Sequence, residues 1–325
     1  MPPQSSSAWR CSLPSAVARP SRTRRHRLRR SPLDSKFTVG LAQTFPRLGD
    51  VEANLQRHLE LAQEARGLGV NLLIFPELSL TGYTLRELVP HVAIRPSPEH
   101  PMWKPLLEAS ASLAIVVGFV EEDARHRFFA SSAFLDGGRV VHVHRKVYLP
   151  TYGLFEEGRY LCAGDGFRAF DTRFGRCGMA ICEDAWHIST PYLLWMDGAD
   201  YLIFCSSSPA YGVGTDQEGA TANAAIVSQF TKTYATLLTS YAFHVNRVGV
   251  EEGISFWGGS LAVSPRGQVI AHAPYFEEAL IPLEVDPGLL RAARQRLPLL
   301  RDEKPLAVLH ELSRILSEER RHDER

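Results

Sequence analysis

The chain has 325 residues, of which 45% are hydrophobic and 22% are charged, a composition typical of a globular protein with a sizeable core. The formal net charge is zero, but residues 1–35 hold eight of the 36 basic and one of the 36 acidic residues, which leaves a net charge of −7 on the other 290. An acidic body argues against nucleic acid as the main partner, and no apolar run approaches the roughly 18–20 residues that a membrane-spanning helix needs.

The first 35 residues are rich in Ser, Pro and Arg and show no apolar periodicity. Such a segment cannot bury enough apolar surface to order itself, so we expect a disordered Arg-rich tail. The same composition also fits an organelle transit peptide or a start site placed too far upstream. The sequence therefore predicts two parts, a tail over residues 1–35 and one α/β domain over residues 36–325.

From residue 36 onward, apolar patterns of strand and helix type follow one another without an internal repeat. Strands joined by helices alternate with hairpins, which indicates mixed sheets with helices outside. Strands are predicted at Phe37–Ala42, Asn71–Phe75, Ala114–Glu121, Phe128–Asp136, Arg139–Tyr148, Cys177–Ile181, Tyr201–Cys205, Val245–Val250, Ser260–Ser264, Val269–His272 and Ala279–Val285. Helices are predicted at Asp50–Gly67, at Met102–Leu113, between residues 181 and 201, at Asp216–Tyr241, and twice after the last strand.

Three strand ends carry a reactive group just past an apolar run, and sites on open α/β folds collect at such edges. The first group is Glu77 in FPELSLTGY. A carboxylate directly after a buried strand is partly desolvated, which raises its pKa towards that of a useful general base. The alternative is a glutamate that only forms a salt bridge at the start of a loop.

The second group is Lys146 in HVHRKVYLP. The chain has only five lysines against 31 arginines, so a lysine within a strand of buried character suggests that a compact ammonium is required. Such an ammonium suits an oxyanion. His142 and His144 share one face of the same strand and could ligate a metal. Because no third ligand is nearby, we interpret them as ordinary strand residues.

The third group is Cys182 in RCGMAICEDAW, between an apolar strand and a helix expected near Ala185. A helix N-terminus there would stabilise a thiolate and offer N–H groups to an oxyanion. Cys177 and Cys205 lie inside apolar strands and are expected to be packed and inert. The five cysteines form no C-x-x-C pair, which excludes a disulfide scaffold and a cysteine zinc site and is typical of a reducing cytosol.

In combination, Glu77, Lys146 and Cys182 resemble the Glu–Lys–Cys triad of the carbon–nitrogen hydrolase (nitrilase) superfamily. The resemblance runs from about residue 36 to 285 and rests on FPELSLTGY, HRKVYLPTYGLFEEGRYLCAGD, GMAICEDAW, SSSP and VNRVGVEEGISFWGGS. It implies an α/β fold of four layers, an α-β-β-α sandwich. YLPTYGLFEEGRY and ICEDAW are most similar to the glutamine-amidase domain of glutamine-dependent NAD synthetases. Because the sequence has no S-G-G-x-D-S-type pyrophosphate loop, we expect a stand-alone domain.

The resemblance also implies further site residues. It places the family's second glutamate on Glu157 in GLFEEGR, although two solvated loop acids are the alternative there. The backbone N–H of Glu183 would bind the oxyanion. Tyr152, Trp186 and Ser208 would lie on the substrate side, but SSSP departs from the more usual Asn-x-Ser-Pro, which puts the contacts of Ser208 in doubt.

The implied activity is hydrolysis of a small primary carboxamide through a thioester on Cys182, with no metal and no organic cofactor. The expected partner is a small-molecule amide, without nucleic acid or membrane, and the expected state is a cytoplasmic homo-oligomer. An N-carbamoyl amide or a nitrile is the alternative substrate on the same fold. A glutaminase subunit that supplies ammonia to a separate synthetase, a non-catalytic scaffold and a redox thiol protein are alternatives of other kinds.

Overall fold

Residues 35–97, 99–210 and 221–323 are described in the computed structural model of the protein. The predicted tail, except for Ser35, lies outside these residues, and so does the first part of the helix predicted from Asp216.

Strands and helices alternate along the described residues much as the apolar patterns predict. The strands are β1 Phe37–Gln43, β2 Leu72–Ile74, β3 Ala114–Glu122, β4 Phe128–Asp136, β5 Arg139–Arg145, β6 Ala169–Thr172, β7 Gly175–Ile181, β8 Tyr201–Ser206, β9 Tyr241–Asn246, β10 Val248–Glu251, β11 Ile254–Trp257, β12 Leu261–Val263, β13 Val269–His272 and β14 Ala279–Val285. The α-helices are α1 Val51–Gly67, α2 Val89–Val92, α3 Trp103–Ala109, α4 Glu157–Tyr160, α5 Ser189–Met196, α6 Ala222–Leu237, α7 Pro287–Arg296, α8 Leu299–Asp302 and α9 Pro305–Asp323, and 3-10 turns cover Arg86–Leu88 and Cys182–Trp186.

The strands form two large sheets and one separate hairpin. The first sheet has the order β14-β1-β2-β3-β4-β5, and β1, β2 and β3 are parallel. The second sheet has the order β13-β12-β9-β8-β7-β6, and β7, β8 and β9 are parallel. Strands β10 and β11 form a separate antiparallel hairpin, in which Phe256 also bridges Pro209. Each large sheet therefore has a parallel centre with antiparallel edges.

The two sheets pack face to face and helices cover their outer faces. Ile74 of the first sheet and Met179 of the second belong to one buried cluster between the sheets. Leu73, whose side chain points the opposite way from that of Ile74, packs under α1 and α3, and Phe204 packs under α5 and α6. The predicted four-layer α-β-β-α sandwich is confirmed.

The helix predicted over Asp216–Tyr241 ends earlier than expected. Helix α6 stops at Leu237, because Thr239 takes a left-handed backbone conformation with φ of 47° that a helix cannot continue. Tyr241 already opens β9. The single strand predicted at Val245–Val250 is wrong as well, since β9 ends at Asn246 in the second sheet and β10, after Arg247, pairs with β11 instead.

Strand β5 also ends early, at Arg145 instead of Tyr148. The backbone N–H groups of Val147 and Tyr148 donate to the Asp184 carboxylate at 3.0 and 2.9 Å, so they do not pair with a neighbouring strand. Lys146 therefore lies just past the end of a strand, where its backbone can turn.

Three helices follow the last strand of the described residues, where two were expected. Helix α7 begins at Pro287, and the Asp286 side chain caps it by accepting from the Gly288 N–H at 2.8 Å. Helices α8 and α9 continue the chain. Among the helices that the structure describes, none combines the length and the apolar character needed to cross a bilayer.

Candidate active site

The carboxyl ends of four strands meet at one edge of the sandwich. Glu77 follows β2 by three residues, and Lys146, Cys182 and Ser207 directly follow β5, β7 and β8. Two antiparallel pairings separate β5 from β3, so β5 runs in the direction of the parallel strands and ends at the same edge. The three reactive groups expected from the sequence are thereby brought together.

The centre of this edge is the ammonium group of Lys146, which is fully buried. Its Nζ donates to Glu77 Oε1 at 2.8 Å and to Glu157 Oε1 at 2.6 Å. Burial opposes the charge, but the carboxylates of Glu157 and Glu77 outweigh it and raise the pKa of Lys146 well above its usual value. Lys146 is therefore charged and can attract a developing oxyanion.

Glu77 is held by both its side chain and its backbone. Its Oε2 accepts from the Ser207 N–H at 2.8 Å, and its carbonyl oxygen accepts from the Ser207 hydroxyl at 2.9 Å. Gly118 of β3 lies against the same turn, where an added Cβ would come within 2.4 Å of the Pro76 carbonyl oxygen. Only glycine allows β3 to lie so close to the backbone that carries Glu77.

Cys182 is buried and has φ of 47°, a left-handed conformation that side-chain-bearing residues rarely adopt. Burial raises the pKa of its thiol well above the usual value, the carboxylate of Glu77 raises it further, and Lys146 lowers it. The helix expected near Ala185 does not begin there, since a 3-10 turn covers Cys182–Trp186 and the next α-helix begins at Ser189. The resting group is a neutral thiol, which needs a base during attack.

The residue that connects these segments is Asp184, which the sequence reasoning missed. Its carboxylate is fully buried and accepts four hydrogen bonds. Oδ1 accepts from Val147 and Tyr148 N–H, and Oδ2 from Ile181 N–H at 2.9 Å and His144 Nε2 at 2.9 Å. A charged residue two positions after the cysteine in ICEDAW, before an apolar pair, was the available signal.

Glu157 is buried at the start of α4, whereas Glu156 beside it is exposed. Tyr83 donates its hydroxyl to Glu157 Oε1 at 2.5 Å, and the Tyr83 N–H donates to Glu251 Oε1 at 2.9 Å. Burial raises the pKa of Glu157, Lys146 lowers it, and the negative charge of Glu77 raises it. Among the described residues, Glu157 Oε2 has no hydrogen-bond partner, so it is available to a substrate or water.

The four residues expected on the substrate side are divided. Tyr152 is 58% exposed and donates its hydroxyl to both carboxylate oxygens of Glu183, at 3.1 and 3.0 Å. Trp186 is exposed and packs edge-on against an aromatic ring of α6. Ser208 is buried, and its N–H donates to the Asn246 side chain at 2.8 Å. The structure thus brings Tyr152 into contact with Glu183, the residue that follows Cys182 in the chain.

The two histidines of β5 have separate environments. His142 stacks on Phe170 with ring centroids 4.2 Å apart, and burial lowers its pKa to about 4. His144 is bound to Asp184. In the described parts of the chain, no group of three or more His, Cys, Asp or Glu side chains is arranged to hold a metal ion.

A cavity of about 350 Å³ lies beside this cluster and shares Tyr83 and Glu157 with it. Its wall includes Thr84, which lies between β2 and α2, Val89 of α2 and the ring of Phe155.

The sequence pattern of the carbon–nitrogen hydrolase family matches residues 38–295, and the chain belongs to this family. With the fold described above, it is a carbon–nitrogen hydrolase, as the resemblance implied.

Known proteins of two kinds are similar to this chain. The glutamine-dependent NAD(+) synthetase of Acinetobacter baylyi is 31% identical over 252 residues, covering 77% of this chain and 44% of that protein, so this chain spans less than half of such relatives. The N-carbamoylputrescine amidase of Arabidopsis thaliana is 26% identical over 270 residues, covering 79% of this chain and 89% of that protein.

Solved structures that are similar to this chain include a much longer synthetase and a nitrilase-superfamily protein that this chain covers almost completely. The glutamine-dependent NAD+ synthetase of Acinetobacter baumannii superposes with a TM-score of 0.67 and 31% identity, covering 79% of this chain and 47% of that one. Nit3 of Saccharomyces cerevisiae, a member of branch 10 of the nitrilase superfamily, superposes with a TM-score of 0.72 and 23% identity, covering 83% of this chain and 97% of that one. At that identity, Nit3 supports the fold alone.

Proposed function

We propose that this protein hydrolyses a small primary carboxamide to the carboxylic acid and ammonia, through a thioester on Cys182. The observation that carries the proposal is the buried Lys146 ammonium between the carboxylates of Glu77 and Glu157, with the Cys182 thiol in the same electrostatic cluster. A base, a cation and a nucleophile at one strand edge are the groups that acyl transfer needs.

In the first half of the reaction, Glu77 takes the proton of the Cys182 thiol while the sulfur attacks the amide carbon. The oxyanion is stabilised by the Lys146 ammonium and the backbone N–H of Glu183. Glu77 then gives its proton to the departing nitrogen, so that ammonia leaves and a thioester remains. Because burial raises the pKa of the Cys182 thiol, a base must take its proton as the sulfur attacks.

In the second half, Glu77 takes a proton from water and the hydroxide attacks the thioester carbon. Collapse of the tetrahedral intermediate breaks the carbon–sulfur bond, releases the acid and returns the proton to the Cys182 sulfur. Glu157 orients the water or the amide nitrogen, for which its buried Oε2, without a hydrogen-bond partner in the described part of the chain, is suited.

The rim of the site supports a substrate with a polar or cationic end. The Glu183 carboxylate, together with the Tyr152 hydroxyl, offers negative charge and a hydrogen bond beside the nucleophile. The similarity to glutamine-dependent synthetases favours an ω-amide such as that of glutamine, and a glutaminase that feeds a separate synthetase belongs to this proposal. The similarity to N-carbamoylputrescine amidases supports the second candidate, cleavage of an N-carbamoyl group.

Trapping of the acyl group separates the two candidates. With hydroxylamine present, turnover of primary amides should yield hydroxamates, because the nitrogen nucleophile competes with water for the thioester at Cys182. Intact-protein and peptide mass measurements should locate the acyl mass on Cys182. Hydroxamates from amides, with carbamoyl compounds inert, would support the amidase; turnover confined to carbamoyl compounds, with carbon dioxide, ammonia and a free amine released, would establish the second candidate instead.

Replacement of Glu157 by glutamine tests its positioning role. Gln can still accept hydrogen bonds from Lys146 and Tyr83, so the protein should fold while kcat falls by about 10²-fold. Removing one of two neighbouring carboxyls relieves their repulsion, so the acid limb of kcat/KM should move to lower pH. The exposed Glu108 of α3 provides the control Glu108→Gln, expected to leave both unchanged. An unaltered rate in Glu157→Gln would leave Glu157 as a buried partner of Lys146 without a role in the reaction.

We further propose that the protein acts in the cytoplasm as a homo-oligomer. Exposed apolar side chains next to and on α5 support self-association, since Ile188 is 76% and Leu193 47% exposed.

A further inference from the structure

The carboxylate of Asp184 binds the chain on both sides of Lys146 and directly before Cys182. On the lysine side, the donors are the imidazole two residues before Lys146 and the N–H groups of the two residues after it. On the cysteine side, the residue just before Cys182 donates its N–H, and Asp184 itself follows two residues later. One fully buried group therefore connects the two segments that carry the ammonium and the nucleophile.

A buried carboxylate is costly unless its oxygens are fully hydrogen-bonded, and here each oxygen of Asp184 has two donors. Two of these donors are the N–H groups of Val147 and Tyr148, just past the end of β5. Because these groups bind Asp184 and not a neighbouring strand, the same contact turns the chain at Lys146. Stabilisation of an oxyanion requires donors within about 2.7–3.1 Å of it, and a displacement of about 1 Å can cost about 10²-fold in rate.

We propose that Asp184 is a positioning residue that sets the distance between the Lys146 ammonium and the Cys182 sulfur. The inference rests on the proposed function for the roles of those two groups. Asp184 acts through them and does not take part in the chemical steps.

The test is Asp184→Asn, which keeps the size of the side chain. Asn Oδ1 can keep the two N–H groups that follow Lys146, and His144 can accept from the new amide by changing its tautomer. The N–H of Ile181 then faces a donor and loses its partner, so the Cys182 turn should shift. We expect kcat for amide hydrolysis to fall by about 10²-fold with KM little changed.

A second measurement needs no substrate. The rate at which iodoacetamide alkylates Cys182, followed by peptide mass spectrometry against pH, reports the ionisation of its thiol. Lys146 lowers the pKa of this thiol, whereas Glu77 and Glu157 raise it. If the ammonium moves away from the sulfur in Asp184→Asn, the midpoint of alkylation should move to higher pH.

Asp200 provides a matched control at the opposite end of the strand that carries Cys182. Its carboxylate accepts from the Arg176 N–H of β7 at 3.0 Å and from Arg294 Nη1 at 2.6 Å. Asp200→Asn should lower Tm by weakening these contacts, and it should leave kcat and the alkylation midpoint at their wild-type values.

Wild-type kcat and alkylation midpoint in Asp184→Asn, with only Tm lowered, would overturn the proposal and leave Asp184 a structural group. If the wild-type protein hydrolyses no amide, the proposed function fails, and the alkylation midpoint still decides the role of Asp184. If Asp184→Asn does not fold, His144→Phe removes one donor and keeps a ring against Phe167. That variant should raise the midpoint by a smaller amount, and an unchanged midpoint would overturn the proposal.

Discussion

Replacing Cys182 with alanine should abolish turnover while the protein remains folded. The substitution removes the sulfur that attacks the amide carbon, and loss of such a nucleophile costs roughly 10⁴–10⁶-fold in kcat. Alanine is smaller than cysteine and must adopt the same left-handed backbone conformation, with φ of 47°. Because the backbone strain is the same for both residues, Tm should change little. Steady-state rates with primary amides, together with thermal unfolding, measure the two effects separately.

The exposed Cys162 provides the control for this substitution. Cys162→Ala should keep the wild-type rate. In this variant the acyl group should still form on Cys182 and should still be released by hydroxylamine. If Cys182→Ala retains more than a trace of the wild-type rate, another group is the nucleophile, and the thioester mechanism is wrong for this protein.

The three reactive groups could be predicted because each follows an apolar run whose end reaches a sheet edge. The residues next to Glu77, Lys146 and Cys182 are enough to predict that each lies at a strand end. Strands β2, β5 and β7 end within three residues of the ends of the apolar runs. The order of layers came from the resemblance to a family. Alternation of hairpins and α-linked strands alone predicts mixed sheets but does not define which faces pack together.

The contacts that hold the site could not be predicted, because they join residues far apart in the chain. Ser207 donates to Glu77 across 130 positions, and Asp184 accepts from Tyr148 across 36. Ser207 is not unusual in its local sequence, and the acidic residue in ICEDAW does not by itself indicate which backbone groups it binds. The depth at which Cys182 is buried could not be predicted either. A strand-to-helix turn favours a thiolate, whereas burial, a property of the whole fold, raises the pKa of the thiol.

Replacing Lys146 with alanine should lower kcat by at least about 10²–10³-fold, the loss expected for one oxyanion donor, because the lost donor also carries a charge. The substitution leaves the buried carboxylates of Glu77 and Glu157 without their common cation. Such a pair cannot stay fully ionised, so the two carboxyls should share a proton near neutral pH. The acid limb of kcat/KM should therefore move to higher pH, opposite to the shift expected for Glu157→Gln.

Lys232→Ala, on the exposed face of α6, provides the matched control and should leave both the rate and the pH profile unchanged. Thermal unfolding of Lys146→Ala, monitored by circular dichroism, distinguishes a loss of catalysis from a folding defect. Breaking a buried ion pair costs about 3–5 kcal/mol, so Tm should fall even when the variant is folded at 25 °C. A folded Lys146→Ala with near-normal kcat would show that the ammonium only neutralises two carboxylates, and the oxyanion would then require other donors. An unmoved acid limb would show that the ammonium does not maintain the ionisation of the two carboxyls.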